Sequence, residues 1–237
     1  MTCKNISQAG SLFGAYSATL NCMIGLLLFI SSSLFCQVPV REEPLHKLVL
    51  QNKYIRLLDV WIAPGDTSLY HIHETPSLFT YYTNTSIMTQ IKGEEWKNEL
   101  TIAGKAWYRS FSPDTLIHRV CNVDTTALHV IDIELLSRFD SNEVSRQSLL
   151  PFPLLFENER AVAYQLTETS FQNQKIEERG PMIVELISGD GATFHNATTD
   201  QNSEIKTGQY LFIEPGTSFS FKISRKQPAT IVLFELK

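Results

Sequence analysis

Three histidines have the type and spacing to hold a metal ion. His71 and His73 stand two apart at the end of Pro64-Gly65-Asp66-Thr67-Ser68-Leu69-Tyr70-His71-Ile72-His73. Side chains alternate across a strand, so these two imidazoles leave one face while Tyr70 and Ile72 leave the other. A third, His118, follows in Pro113-Asp114-Thr115-Leu116-Ile117-His118-Arg119-Val120-Cys121-Asn122. Neutral imidazole suits several divalent transition metals. The same residues also read as polar histidines of a core, and on spacing alone both readings stand.

The remaining chemistry-bearing residues form weaker patterns. His129 shares its phase with Ala127, Ile131, Ile133 and Leu135, which reads as an inward set; there it lines a cavity or, preferably, is a satisfied core histidine. His46 and His195 have no pattern around them and are expected at the surface. Cys121, three after His118, is expected on the opposite face as a buried apolar residue. Asn122 reads as a turn residue before Asp124, and Phe79, Tyr81, Tyr82 and Trp107 as packing. Ser, Asp and Glu form no hydrolytic triad, and no Gly-rich loop could cradle phosphate. No carboxylate stands at a recognisable distance from the three histidines, so the catalytic base is unknown from sequence.

Strands must position these residues. Lys47–Gln51, Tyr54–Ala63, Leu69–His73, Leu78–Thr83, Ser86–Ile91, Glu99–Ile102, Trp107–Ser110, Ile117–Cys121 and Leu128–Leu135 are short and rich in branched and aromatic residues. Turn residues such as Pro64-Gly65, Lys92-Gly93 and Pro113-Asp114 separate them, a pattern that reads as an all-β sandwich or barrel. Only Phe139–Leu149 could hold a short linking helix.

The second half repeats the landmarks of the first. Asn158-Glu-Arg-Ala-Val echoes Asn52-Lys-Tyr-Ile-Arg, and Pro181 echoes Pro76, 23 and 24 residues after the respective asparagines. Gly104, Pro113, Ala127 and Glu134-Leu135 are matched in order by Gly208, Pro215, Ala229 and Glu235-Leu236. Shared order at near-equal spacing marks a duplication. The expected organisation is a first unit over residues 37–140, a linker over 141–158 and a second unit over 159–237.

These motifs resemble the cupin superfamily, and the repeated layout resembles a bicupin. Gly65, five residues and His71-Ile72-His73 match the first cupin motif; Pro113, His118 and Asn122 match the second, with Thr115 in place of its glycine. The resemblance implies two jelly-roll barrels of antiparallel strands, with a metal near one mouth of the first. The family's metal-binding Glu falls three or four residues after His73, where Ser77 and Leu78 stand, so the implied ligand set is His71, His73 and His118 alone. Leu78 is expected to point into the barrel beside them. In the second unit Glu178-Arg179-Gly180 replace the histidine pair and Ser220, five after Pro215, replaces the third; this copy is expected to bind no metal.

Iron or manganese suits an oxygenase or isomerase of this kind, with zinc or nickel as further candidates. The functional reading is a divalent-metal cupin acting on a small molecule; the alternative is a metal-free cupin that binds a ligand or supports an assembly. The net charge of −5 over 237 residues, with no basic cluster, argues against nucleic acid. A homodimer is an allowed assembly.

Residues 1–36 differ from the rest. They carry one charge, Lys4, and a thirteen-residue apolar run from Met23 to Phe35. That is short of the roughly 20 residues of a membrane span but fits the core of a signal peptide. Cleavage after Cys36 would begin the mature chain at Gln37 and remove Cys3, Cys22 and Cys36, leaving Cys121 without a disulfide partner. The chain is therefore expected to be exported, periplasmic or secreted, and membrane-associated only through a lipid on Cys36 or an uncleaved segment.

Overall fold

The computed structural model describes residues 37–139, 149–167, 175–177, 179–223 and 228–237. The expected signal segment and nearly all of the suggested Phe139–Leu149 helix lie outside the described residues. Within them no α-helix occurs; a 3-10 turn at Val40–Glu42 is the one helical element.

Strands form four sheets. The first orders β1 (Val38–Pro39), β4 (His71–His73), β9 (Leu116–Asn122), β6 (Ser86–Ile91) and β7 (Lys97–Leu100). The second orders β2 (His46–Gln51), β3 (Ile55–Ile62), β10 (Leu128–Leu135), β5 (Ser77–Tyr81) and β8 (Ala106–Arg109). The third orders β11 (Leu154–Glu157), β12 (Ala161–Thr167), β18 (Thr230–Leu236), β13 (Met182–Ser188) and β16 (Tyr210–Ile213). The fourth orders β15 (Gln201–Ile205), β14 (Ala192–Asn196) and β17 (Phe219–Ile223). Every pairing is antiparallel except the two-residue β1–β4 ladder.

The landmarks shared by the two halves make the same bonds. Asn52 Oδ1 accepts the amides of Tyr54 and Ile55; Asn158 Oδ1 accepts those of Arg160 and Ala161. These Asx turns launch β3 and β12. Pro76 and Pro181 present their carbonyls to the amides of Leu135 and Leu236. Gly104 and Gly208 both sit at positive φ, 82° and 85°, where a side chain would be strained. The strand order of the third sheet repeats that of the second, with β12, β18, β13 and β16 in the places of β3, β10, β5 and β8. The molecule is thus built of jelly-roll barrel units, all-β as its turn spacing indicates.

The second and third sheets pack on each other, and this dictates the pattern of β5 and β10. Leu78 of β5 and Tyr82, just past its end, join Ile131 and Ile133 of β10 in a core shared with Ile183, Val232 and Phe234. Phe79, Tyr81, Val130 and Asp132 on the other faces line a cavity in the first barrel. With both faces buried, β5 reads as a continuous apolar run and its phase is not written in hydrophobicity. One expectation is corrected here: Leu78 faces the inter-sheet core instead of the histidines, while the inward Ile131, Ile133 and Leu135 set is buried in that same core.

That core contains a carboxyl group. Glu185 of β13 is fully buried, and neither of its oxygens has a hydrogen-bond partner. Burial, partly offset by the nearby Thr80 hydroxyl, pushes it up to about 8 from an ordinary 4.5. Between those two values the unfolded chain has released this proton while the folded chain keeps it. Stability therefore falls by roughly 1.4 kcal/mol per pH unit as pH rises through the window, and levels off above it. Glu185→Gln should remove this slope. Urea midpoints at pH 5 and pH 7.5 should show the variant gaining on wild type at the higher pH; parallel behaviour would show that Glu185 ionises freely.

Candidate metal centre

Gly65, at φ 81°, turns the chain into the segment that leads to β4, and its amide bonds to the Asn122 carbonyl. β4 then pairs with β9 so that His71 stands directly across from His118. Alternation puts His73 on the same face. Three ring nitrogens, one from each histidine, lie within 4.8 Å of one another. His73 Nε2 and His118 Nε2 are 3.1 Å apart. His71 Nδ1 donates to the Leu69 carbonyl at 2.9 Å, which fixes the tautomer and leaves its Nε2 lone pair free.

Burial keeps these rings neutral. It pushes His71 down to about 4, with the nearby His46 charge adding to the effect. It pushes His73 and His118 well below their ordinary value, and neighbouring histidines and Arg109 act in the same direction. Neutral rings with a nitrogen each within 4.8 Å of the others form a donor set that a divalent ion fits.

Sequence reasoning left several contributors unseen. Asp132 is fully buried, and its Oδ2 lies 3.5 Å from His73 Nδ1, longer than a good hydrogen bond. Both Asp132 oxygens and that nitrogen lack hydrogen-bond partners. Burial, reinforced by Glu134 and opposed by Ser77, pushes Asp132 well above the carboxylate range. It stands behind a ligand-bearing ring, where carboxylates orient metal-binding histidines. Phe111 stacks on His73 with centroids 4.9 Å apart, held there by a left-handed backbone at φ 54° that is uncommon for a bulky residue. Nothing in the local pattern signals either role.

His46 corrects a further expectation. It is buried, 8% exposed, and lines the cavity with its ring 4.6 Å from that of His71. Its Nδ1 contacts Glu43 Oε2 at 2.6 Å. Burial opposes ionisation of Glu43, but His46 and the Leu69 and Leu45 amides outweigh it and hold the carboxyl below its ordinary value. The clue was the Glu43–His46 spacing of three, meaningful only once the 3-10 turn brings them together.

Other expectations divide. His129 faces away from the cavity, with Nε2 2.9 Å from Asp59 and its ring stacked on Trp61, a satisfied core histidine. His195 is partly exposed, and Cys121 is only partly buried. Asn122 bonds the Ile62 and Thr126 carbonyls and accepts the Asp124 amide. Phe79, Tyr81 and Trp107 line the cavity, whereas Tyr82 packs against the other sheet.

In the second half, the inward position of β17 belongs to Phe219, which forms a bridge with Ile176. Ser220 pairs with His195 on the other face, so the correspondence with His118 is off by one. Phe194, Phe219 and Phe221 pack together there. Of the residues expected in place of the histidine pair, Glu178 lies outside the described residues, and Arg179 pairs with Glu235 at 2.5 Å.

No family model matches this sequence, and no curated protein matches it. Solved structures do resemble its fold. AerE from Microcystis aeruginosa superposes with a TM-score of 0.56 at 12% identity, over 82% of this chain and 98% of that one. A cupin 2 conserved barrel protein from Leptotrichia buccalis gives 0.51 at 10% identity, over 81% and 88%. A single-substitution variant of salicylate 1,2-dioxygenase from Pseudoaminobacter salicylatoxidans gives 0.52 at 8% identity, over 77% and 71%. At such identities the likeness concerns fold alone, and the fold is that of the cupins.

Proposed function

We propose that this chain is an exported cupin that binds one divalent ion through His71, His73 and His118 and acts on a small molecule, as an oxygenase or isomerase. The observation that carries the reading is the convergence of three neutral imidazoles within 4.8 Å beside a cavity of about 470 Å³. The volume matches small-molecule sites. When bound, the ion would supply Lewis acidity, or redox chemistry if it is iron or manganese, the better candidates here over zinc and nickel.

The chain's own residues do the holding and shielding. Leu69 orients His71, Asp132 backs His73, and Phe111 covers one face of the His73 ring. Without an ion, the facing Nε2 atoms of His73 and His118 can share a single proton at most, and among the described residues the buried His73 Nδ1 has no hydrogen-bond partner. This favours a metal protein over a metal-free binding module. The salicylate dioxygenase similarity supports small-molecule oxidation as one activity to test. Export is supported by the apolar Met23–Phe35 run and by the three cysteines confined to residues 1–36.

Protein recovered from its native host should begin at Gln37 and carry about one divalent ion per chain by elemental analysis. Failure to take up iron, manganese, zinc or nickel even on reconstitution would remove the metal reading. A chain still beginning at Met1 would remove export.

A further inference from the structure

Two cations face the cavity without anionic partners. Arg109 and Lys105 both line it, and among the described residues neither has a carboxylate within ion-pair distance. The two carboxyl groups of the lining are otherwise engaged. Glu99 accepts the Tyr81 hydroxyl at 3.2 Å, and Asp132 is the buried group behind His73. Arg109 is also close to the histidine cluster. Its guanidinium lies 5.0 Å from the centre of the Phe111 ring, which itself stacks on His73. Lys105 sits 5.9 Å over Trp107, further from the cluster.

Charge balance follows from these positions. Three neutral imidazoles leave a dication's charge uncompensated, and Arg109 adds another positive charge nearby. An anionic ligand would supply counter-charge at this end of the cavity. A planar guanidinium fork matches a carboxylate with two parallel hydrogen bonds. Phe79 and Trp107, stacked at 5.0 Å, offer an apolar wall beside it. Such a wall suits a monoanion with an apolar body better than a densely hydrated polyanion. We infer that the cavity takes a small carboxylate with an apolar or aromatic body, its carboxylate on Arg109 and its body against Phe79 and Trp107. This rests on the reading of the cavity as a small-molecule site.

Benzoate and its neutral analogue benzamide are suitable probes, titrated calorimetrically into the full mature chain with and without manganese. Benzoate should bind at least roughly tenfold more tightly than benzamide, the discrimination expected of a charge-assisted hydrogen-bonded pair. Arg109→Gln should bring the ratio close to one. Its side chain is exposed, so the variant should fold and retain its metal content. Lys105→Gln should have the smaller effect. Equal binding of the two probes, or no benzoate binding at millimolar concentration, would overturn the carboxylate assignment. Metal content measured on the same samples separates the two ideas. One ion per chain without a benzoate preference sinks this inference alone. An Arg109-dependent preference in a chain that takes up no ion sustains it while removing the metal reading.

Discussion

His118→Ala should abolish metal uptake, not halve it. His118 is paired directly across from His71, and its Nε2 is 3.1 Å from that of His73. It is thus the member through which the β4 pair is closed into a three-point set. Removing it leaves two imidazoles from one strand and no carboxylate to replace the third. The loss should exceed the roughly 10–100-fold seen when only an outer-shell partner of a ligand is removed. The fold should survive, because His118 borders the cavity and the β4–β9 ladder rests on backbone bonds. Elemental analysis with a thermal melt of the metal-free proteins separates the effects. Near-normal metal content in His118→Ala would show that the ion sits elsewhere.

The second large effect concerns the absent carboxylate ligand. Leu78→Glu should unfold or severely weaken the protein without improving metal affinity. Leu78 is fully buried between the two stacked sheets, opposite Ile133 and Tyr108. Losing its packing alone costs roughly 2–5 kcal/mol, and a buried carboxyl without partners adds to that. The sum approaches the whole stability of an ordinary domain, about 5–15 kcal/mol. Ser77→Glu should behave differently. Ser77 shares the phase of Phe79 and Tyr81, which face the cavity, and is buried near Asp132. A carboxylate there could contribute an anionic oxygen, so metal affinity should rise by roughly tenfold, or 1.4 kcal/mol. Denaturant titrations and metal-binding isotherms of both variants check the pair. A stable Leu78→Glu protein with tighter metal binding would reverse the assigned faces of β5.

The legible parts of this molecule were those where one residue type and one spacing suffice. Two histidines at i and i+2 share a face in any strand, and Asn52 and Asn158 announce their turns through local bonds. The third histidine is legible from its place in the Pro113, His118 and Asn122 spacing, which resembles the second cupin motif. What stayed hidden depends on which neighbour covers which face. β5 and β10 are buried on both sides, so alternation does not tell cavity from inter-sheet core, and Leu78 belongs to the core and not beside the histidines. His46 looked like a surface residue because its partner Glu43 is brought to it by a turn. Asp132 was hidden for another reason: its relation to His73 crosses two sheets and leaves no trace in spacing. In the second half, Ser220 satisfied the count from Pro215, but the ladder set Phe219 inward.

The most direct measurement is a crystal of the mature chain grown with manganese, with anomalous diffraction used to locate the ion. One strong peak is expected, bonded to the Nε2 atoms of His71, His73 and His118, with none beside Phe219 in the second half. A peak at His46–Glu43 or His195 instead, or an empty cluster at saturating manganese, would contradict the three-histidine centre.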